Sequence, residues 1–166
     1  MMKKVTVILS TVLALLLTPA TLAATTKVKW TNPDDYHDIY AGEEHRAKFK
    51  AQVFSSLEKH FAKLAQQLPE GQRLNIEVTD LDLAGDVHIG GIRRIRIIKE
   101  LFYPRIEFSY QLFDSSNHII SSDKINLKDM NFMYGSTLRY RNERFGYEKR
   151  MLDDWFKKTF SDDTAK

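Results

Sequence analysis

Between Glu43 and Leu68 apolar residues recur every three or four positions: Phe49, Val53, Leu57, Phe61, Leu64 and Leu68 make one stripe. That spacing predicts a long amphipathic helix, because such positions share one face of a helix with 3.6 residues per turn. Lys48, Lys50, Glu58, Lys59 and Lys63 fall on its other faces, and His60, beside Phe61, is read at its surface edge. Pro69 ends the helix and Pro69-Glu70-Gly71 turns the chain. The stripe is read as core rather than as a partner groove, since a domain of this size needs a covering helix.

The period then changes to two. Leu74, Ile76 and Val78 share one face of a predicted strand, with Asn75 and Glu77 opposite. Beyond Val78 the phase slips to Leu81 and Leu83, so an unbroken register would send Asp80 and Asp82 into the core. Two buried, unpaired carboxylates are too costly, which predicts a bulge near Thr79 or the end of the strand. Ala84 to Gly91 is read as a loop. Arg94-Ile95-Arg96-Ile97 alternates again. From Arg105 to Leu112 the alternation is cleanest, with Ile106, Phe108, Tyr110 and Leu112 on one face. Asp114-Ser115-Ser116-Asn117 is a hairpin turn, and Ile119 to Leu127 returns as its partner strand. Val28-Lys29-Trp30 adds a short strand, and Asn32-Pro33-Asp34-Asp35 a turn. A second amphipathic helix starts at Gly146, with Tyr147, Met151, Leu152, Trp155, Phe156 and Phe160 on its apolar side. Phe132 and Tyr134 are read with Trp155 and Phe156 as core. These elements predict an α+β domain: an antiparallel sheet of about four to five strands covered by two amphipathic helices.

The first residues follow a different logic. Met1-Met2-Lys3-Lys4 is positive, Val5 to Leu17 is apolar, and Thr18-Pro19 precedes Ala20-Thr21-Leu22-Ala23-Ala24. Charge, apolar run and small residues in that order predict a cleavable secretory signal, cut after Ala23 or, as second choice, Ala24. The run is shorter than the ~20 apolar residues of a spanning helix. Residues 1–23 are therefore read as a signal peptide and 24–166 as a single domain. The chain has no cysteine, which excludes disulfides, thiolate metal sites, a cysteine nucleophile and a lipid-modified cysteine anchor. The expected location is the periplasm, with no lipid tether and no stable membrane insertion after cleavage.

The leader also changes the charge. The whole chain carries 25 basic and 22 acidic residues, but Lys3 and Lys4 leave with the leader. The remainder is close to neutral, so no global basic field argues for nucleic acid.

Four residues could carry metal chemistry. Asp80, Asp82, Asp86 and His88 lie close in sequence, and oxygen ligands with one imidazole suit a hard or borderline divalent cation. The spacing fits no calcium loop, and the competing reading has Asp80 and Asp82 capping loop amides or pairing with arginines. Basic residues form two clusters. Arg93, Arg94, Arg96, Lys99 and Arg105 make the first, in which Arg94 and Arg96 share a strand face and Arg105 adds to it from the next strand. Arg139, Arg141, Arg144, Lys149 and Arg150, interleaved with Tyr140, Phe145 and Tyr147, make the second. Arginine beside aromatics suits an anionic or planar ligand, whereas the opposing reading is a solvated, ion-paired face. No HExxH spacing, serine nucleophile elbow or phosphate loop is present, and no cofactor is expected.

Leu68-Pro69-Glu70-Gly71-Gln72, followed by Leu74 to Gly85, resembles the signature of the domain-of-unknown-function 3016 family. Tyr103-Pro104-Arg105-Ile106, Leu127 to Phe132 and Tyr147 to Phe156 are similar to its later blocks. The resemblance implies a small exported protein of Gram-negative bacteria and implies no reaction. It directs attention to Asp80, Asp82, Arg105, Asp129 and Glu148. The function expected from all of this is a non-catalytic binding or accessory domain of the cell envelope. Its partner is an envelope protein or a small anion held near Arg94, Arg96 and Arg105, with Asp80, Asp82 and Glu148 as further ligand-binding candidates. The alternative is a metal-dependent hydrolase using Asp80, Asp82, Asp86 and His88.

Overall fold

A computed structural model describes residues 23–90, 93–134, 139–140 and 142–160. The leader through Leu22, Arg141 and the tail from Asp162 lie outside the described residues. The elements are β1 (Thr25–Trp30), α1 (Arg46–Ala65), β2 (Arg73–Asp82), β3 (Asp86–Gly90), β4 (Arg93–Ile97), β5 (Arg105–Phe113), β6 (Ile119–Lys128) and α2 (Gly146–Phe160). β1, β2, β5 and β6 form one four-stranded sheet in that spatial order, while β3 and β4 form a separate two-stranded ribbon. The class is α+β, and the sheet is open.

One edge departs from the antiparallel expectation: β1 runs parallel to β2, Val28 opposite Ile76 and Trp30 opposite Val78. Alternation carries no information on strand direction. The intervening α1 supplies the long crossover that a parallel pair requires. The ribbon is a second departure, because Asp86–Gly90 was read as loop yet pairs antiparallel with β4, His88 opposite Ile95.

The helix stripe is buried as its spacing requires, with Val53, Leu57 and Phe61 fully inaccessible. These side chains meet Leu74, Ile76 and Val78 of β2, and Ile106, Phe108 and Tyr110 of β5, in one core. The predicted slip in β2 is a bulge. Val78 pairs with Phe108 and Asp80 with Glu107, so Thr79 is the extra residue. The bulge rephases the strand, placing Leu81 at 0% and Leu83 at 2% exposure and leaving Asp80 and Asp82 half-buried on the other side. Full burial of one such leucine stabilises by ~1.5–3 kcal/mol. The hairpin turn after β5 is held by Asp114, whose Oδ1 accepts from the backbone N–H of Ser116 and of His118 at 2.8 and 2.9 Å.

α2 closes the core with Met151, Leu152, Trp155 and Phe156. Trp155 meets Phe108 edge-on at 4.8 Å between ring centroids. Phe132 is fully buried, as expected, but Tyr134 is 62% exposed. His60 corrects its surface assignment: it is buried between the helices, its ring Nε2 2.9 Å from Asp153 Oδ1.

Candidate functional site

The candidate site forms where the end of β2 meets the start of α2. Past Leu83 the chain turns through Ala84 and Gly85 into β3. Gly85 has φ +84°, and a Cβ there would stand 2.6 Å from Ile97 O, so the turn accepts only glycine. Two charged side chains hold this turn from opposite sides. Arg96 of β4 donates to Gly85 O at 2.7 Å and to Tyr40 O at 2.5 Å, and pairs with Asp38 at 2.8 Å. Glu148, in the first turn of α2, reaches back so that its Oε1 accepts from the Ala84 N–H at 2.8 Å.

Glu148 is only 3% exposed. Burial pushes its carboxyl above the usual range, against the opposing influence of the backbone N–H groups and of Arg96 and Lys149. A carboxyl in the first turn of a helix is favoured by the helix dipole, but desolvation outweighs that here.

Above this floor lies a cavity of about 430 Å³, walled by Phe49, Leu83, Ile98, Tyr140, Phe145 and Tyr147 and edged by Arg96, Arg144 and Arg150. Each arginine is held from outside the cavity: Arg144 pairs with Glu44 at 2.9 Å and Arg150 with Asp129 at 2.7 Å. Arg144 also lies over the rings of Phe49 and Phe145, 5.3 Å from each centroid. Arg150 further donates to Phe132 O at 2.8 Å, pinning the loop after β6 to α2. The arginines edging the cavity outnumber its carboxyls, Glu143 and Glu148. Glu143 is paired with Lys149 at 2.9 Å, and Glu148 is driven toward its neutral form.

Of the remaining sequence candidates, Asp82, Asp86 and Arg105 line a second, shallower concavity with His37 and Asp38. Asp82 pairs with Arg105 at 3.0 Å on the four-stranded sheet. Its carboxyl is pushed up by burial, and Arg105 only partly offsets this. Arg105 belongs to the four-stranded sheet and Arg94 and Arg96 to the ribbon. Arg96 and Arg105 are each paired with an aspartate, Asp38 and Asp82 respectively, and these two aspartates bridge to one another along the backbone. Arg94 is exposed, its guanidinium 3.4 Å from the Tyr40 hydroxyl. Asp80 accepts from the His37 backbone N–H at 3.2 Å and lies 2.7 Å from His37 Nδ1. Asp86 accepts from the Val87 N–H at 2.6 Å, and its other oxygen is 3.7 Å from His88 Nε2, beyond a hydrogen bond. Among the described residues no three His, Asp or Glu side chains gather as a metal-holding group. Of the six ligand-binding candidates, Arg96 and Glu148 edge the cavity; Asp80, Asp82, Arg94 and Arg105 do not.

Sequence reading missed a second buried polar cluster behind the cavity wall. Asp153, 6% exposed, contacts His60 through Oδ1 and accepts from the Tyr140 hydroxyl through Oδ2. His60 Nε2 is also 3.1 Å from Lys149 O. With two acceptors facing it, Nε2 carries the hydrogen. Burial lowers the His60 pKa despite Asp153, and burial and then Asp153 raise that of Tyr140. The signal was available for His60: it lies three residues after Leu57 and four before Leu64, on the stripe itself.

The chain belongs to the protein-of-unknown-function family DUF3016, whose model matches residues 24–158. No curated protein and no solved structure matches it.

Proposed function

We propose that this chain is an exported periplasmic binding or accessory domain, without catalytic activity, and that the cavity beside α2 receives a small amphipathic anion. The cavity carries this reading. It has the size of a small-molecule site, mostly apolar and aromatic walls, and a few convergent polar groups, the usual make-up of such sites. The arginines at its edge are already fixed by Glu44, Asp38 and Asp129, so an incoming anion meets oriented guanidinium groups and orders little. The apolar run before Ala23 supports export, and the family match starts just after it, at residue 24.

The test uses anilinonaphthalene sulfonate, an apolar fluorescent anion. The expected result is saturable binding at one site per chain. Arg144→Glu should weaken it at least about tenfold, as a reversed charge at the edge of a partly buried site costs more than ~1.4 kcal/mol. Ile95→Ser on the ribbon should leave it unchanged. Binding that ignores Arg144→Glu would sink the reading. Equilibrium dialysis against divalent cations checks the alternative: a cation bound at micromolar concentration and lost in Asp82→Ala would favour the hydrolase.

A further inference from the structure

Apolar side chains are expected on any protein surface; what calls for explanation is their concentration. Eight large apolar side chains are exposed among the described residues, and six of them stand on two adjoining segments: Ile95, Ile98 and Leu101 on one, Met130, Met133 and Tyr134 on the other. The segments are joined at two points. The Tyr134 hydroxyl donates to Glu100, and the Asp129 N–H donates to Pro104 O at 3.2 Å. Ile95 is tied in through its cross-strand neighbour His88, whose ring lies 5.5 Å from that of Phe102. Leu101 is the most exposed of the six, at 77%.

Cations are interleaved with this surface. Arg93, Lys99 and Lys128 are all exposed. Of the nearby acids, Asp129 is paired with Arg150, Glu100 accepts from Tyr134, and Asp86 is half-exposed on the ribbon. A two-stranded ribbon alone is marginal in water, yet this one leaves Ile95 and Arg93 exposed on one strand face, while Arg94 and Arg96 on the other reach Tyr40. A protein interface gathers its apolar residues in a centre with charge at the rim. Here the apolar residues lie on the ribbon, the segment after it and the loop after β6, with Arg93, Lys99 and Lys128 beside them, as on surfaces that insert between headgroups while their charges meet lipid phosphates. Tyr134, apolar in body and polar at its tip, suits the same boundary.

We propose that this end of the molecule is a docking surface for an anionic phospholipid bilayer, engaged peripherally through Ile95, Leu101, Met130 and Met133 and held by Arg93, Lys99 and Lys128. Among the described residues no helix is long and apolar enough to cross a bilayer. The surface adjoins the cavity at Ile98 and through Arg150, which holds the loop carrying Met130, Met133 and Tyr134.

Protein recovered from cells expressing the full chain, its N-terminus read by mass spectrometry, is sedimented with vesicles of phosphatidylglycerol and phosphatidylethanolamine, or of phosphatidylcholine alone. It should bind the anionic vesicles at least about tenfold more tightly, and high salt should erase the difference, because each surface cation adds to the attraction and is screened. The double variants Ile95→Ser with Leu101→Ser, and Arg93→Glu with Lys99→Glu, should each lose about tenfold or more with unchanged thermal melting. Equal binding to both vesicle types overturns the proposal, as does full binding by either double variant. A third overturning result is absence of vesicle binding together with a discrete protein adduct, or a dimer of this chain, captured by a photo-crosslinker at Leu101. That result would assign the surface to a protein.

Discussion

Replacing Glu148 by glutamine isolates one buried proton. The Glu148 carboxyl is almost wholly inaccessible and accepts from the Ala84 N–H. Burial raises its pKa from 4.5, so the native state holds this proton more tightly than the unfolded chain does. Its contribution to stability is therefore complete below about pH 4.5, falls as pH rises, and levels off once the native carboxyl itself ionises. One proton gives a slope of at most ~1.4 kcal/mol per pH unit through that window. Glutamine cannot ionise, and its amide oxygen still faces the Ala84 N–H. Glu148→Gln should match the native chain in acid and become the more stable of the two as pH rises. Glu148→Ala is the contrast: it leaves a buried N–H without an acceptor, at a cost of ~1–3 kcal/mol at every pH, before any loss of packing. Urea unfolding from about pH 4 to about pH 8, followed by the fluorescence of Trp30 and Trp155, measures all three. A difference between the glutamine variant and the native chain that stays flat with pH would refute the reasoning, because it would mean that the folded carboxyl ionises as the unfolded one does.

Two further outcomes test the fold. His60 has a pKa held below 6.5 by burial, so the stability it contributes is present above about pH 6.5 and is lost as pH falls through its lowered native value. His60→Gln should therefore be less sensitive than the native chain between about pH 7 and about pH 5 in the same unfolding assay, and identical slopes would refute the buried, neutral histidine. Deletion of Thr79 should be tolerated, with a melting temperature shifted by no more than about 10 °C, because Val78 and Asp80 already face consecutive residues of β5 and the ladder would simply become regular. A chain that fails to fold without Thr79 would show that the twist at the bulge, not the phase it restores, is what the strand requires.

What could be read from the chain was whatever periodicity encodes. The α1 stripe, the phase slip after Val78, the β5–β6 hairpin and α2 all follow from which neighbours share a face. Strand direction does not, which is why β1 was assigned to an antiparallel sheet. β3 escaped notice for a different reason: it is short and polar at Asp86 and His88, and it gains its hydrogen bonds from a ribbon partner rather than from a buried face. Burial of polar groups was partly legible. Glu148 precedes Met151, Leu152 and Trp155 by three, four and seven residues, the positions that share its helix face, so the α2 pattern already places a carboxyl on the core side. The Asp153 contacts depend on how α1 and α2 are apposed, and no local pattern carries that.

Several of the charged residues that the sequence singled out join one segment of the chain to another. Asp82 fastens Arg105 across β2 and β5, Asp80 fastens the segment at His37, and Asp129 and Arg150 fasten the loop after β6 to α2. Arg96 and Glu148 grip the same turn at Ala84 and Gly85 from two elements distant in sequence. A half-exposed ion pair adds little to stability, with a median near 0–1 kcal/mol, so their number alone would not explain the arrangement. Their positions do. Arg96, Glu148 and Arg150 border the cavity, and each is bonded to a segment that forms one of its walls or supports one. If the cavity binds a ligand as proposed, Arg96, Glu148 and Arg150 are its frame, whereas Asp80, Asp82 and Arg105 lie outside it.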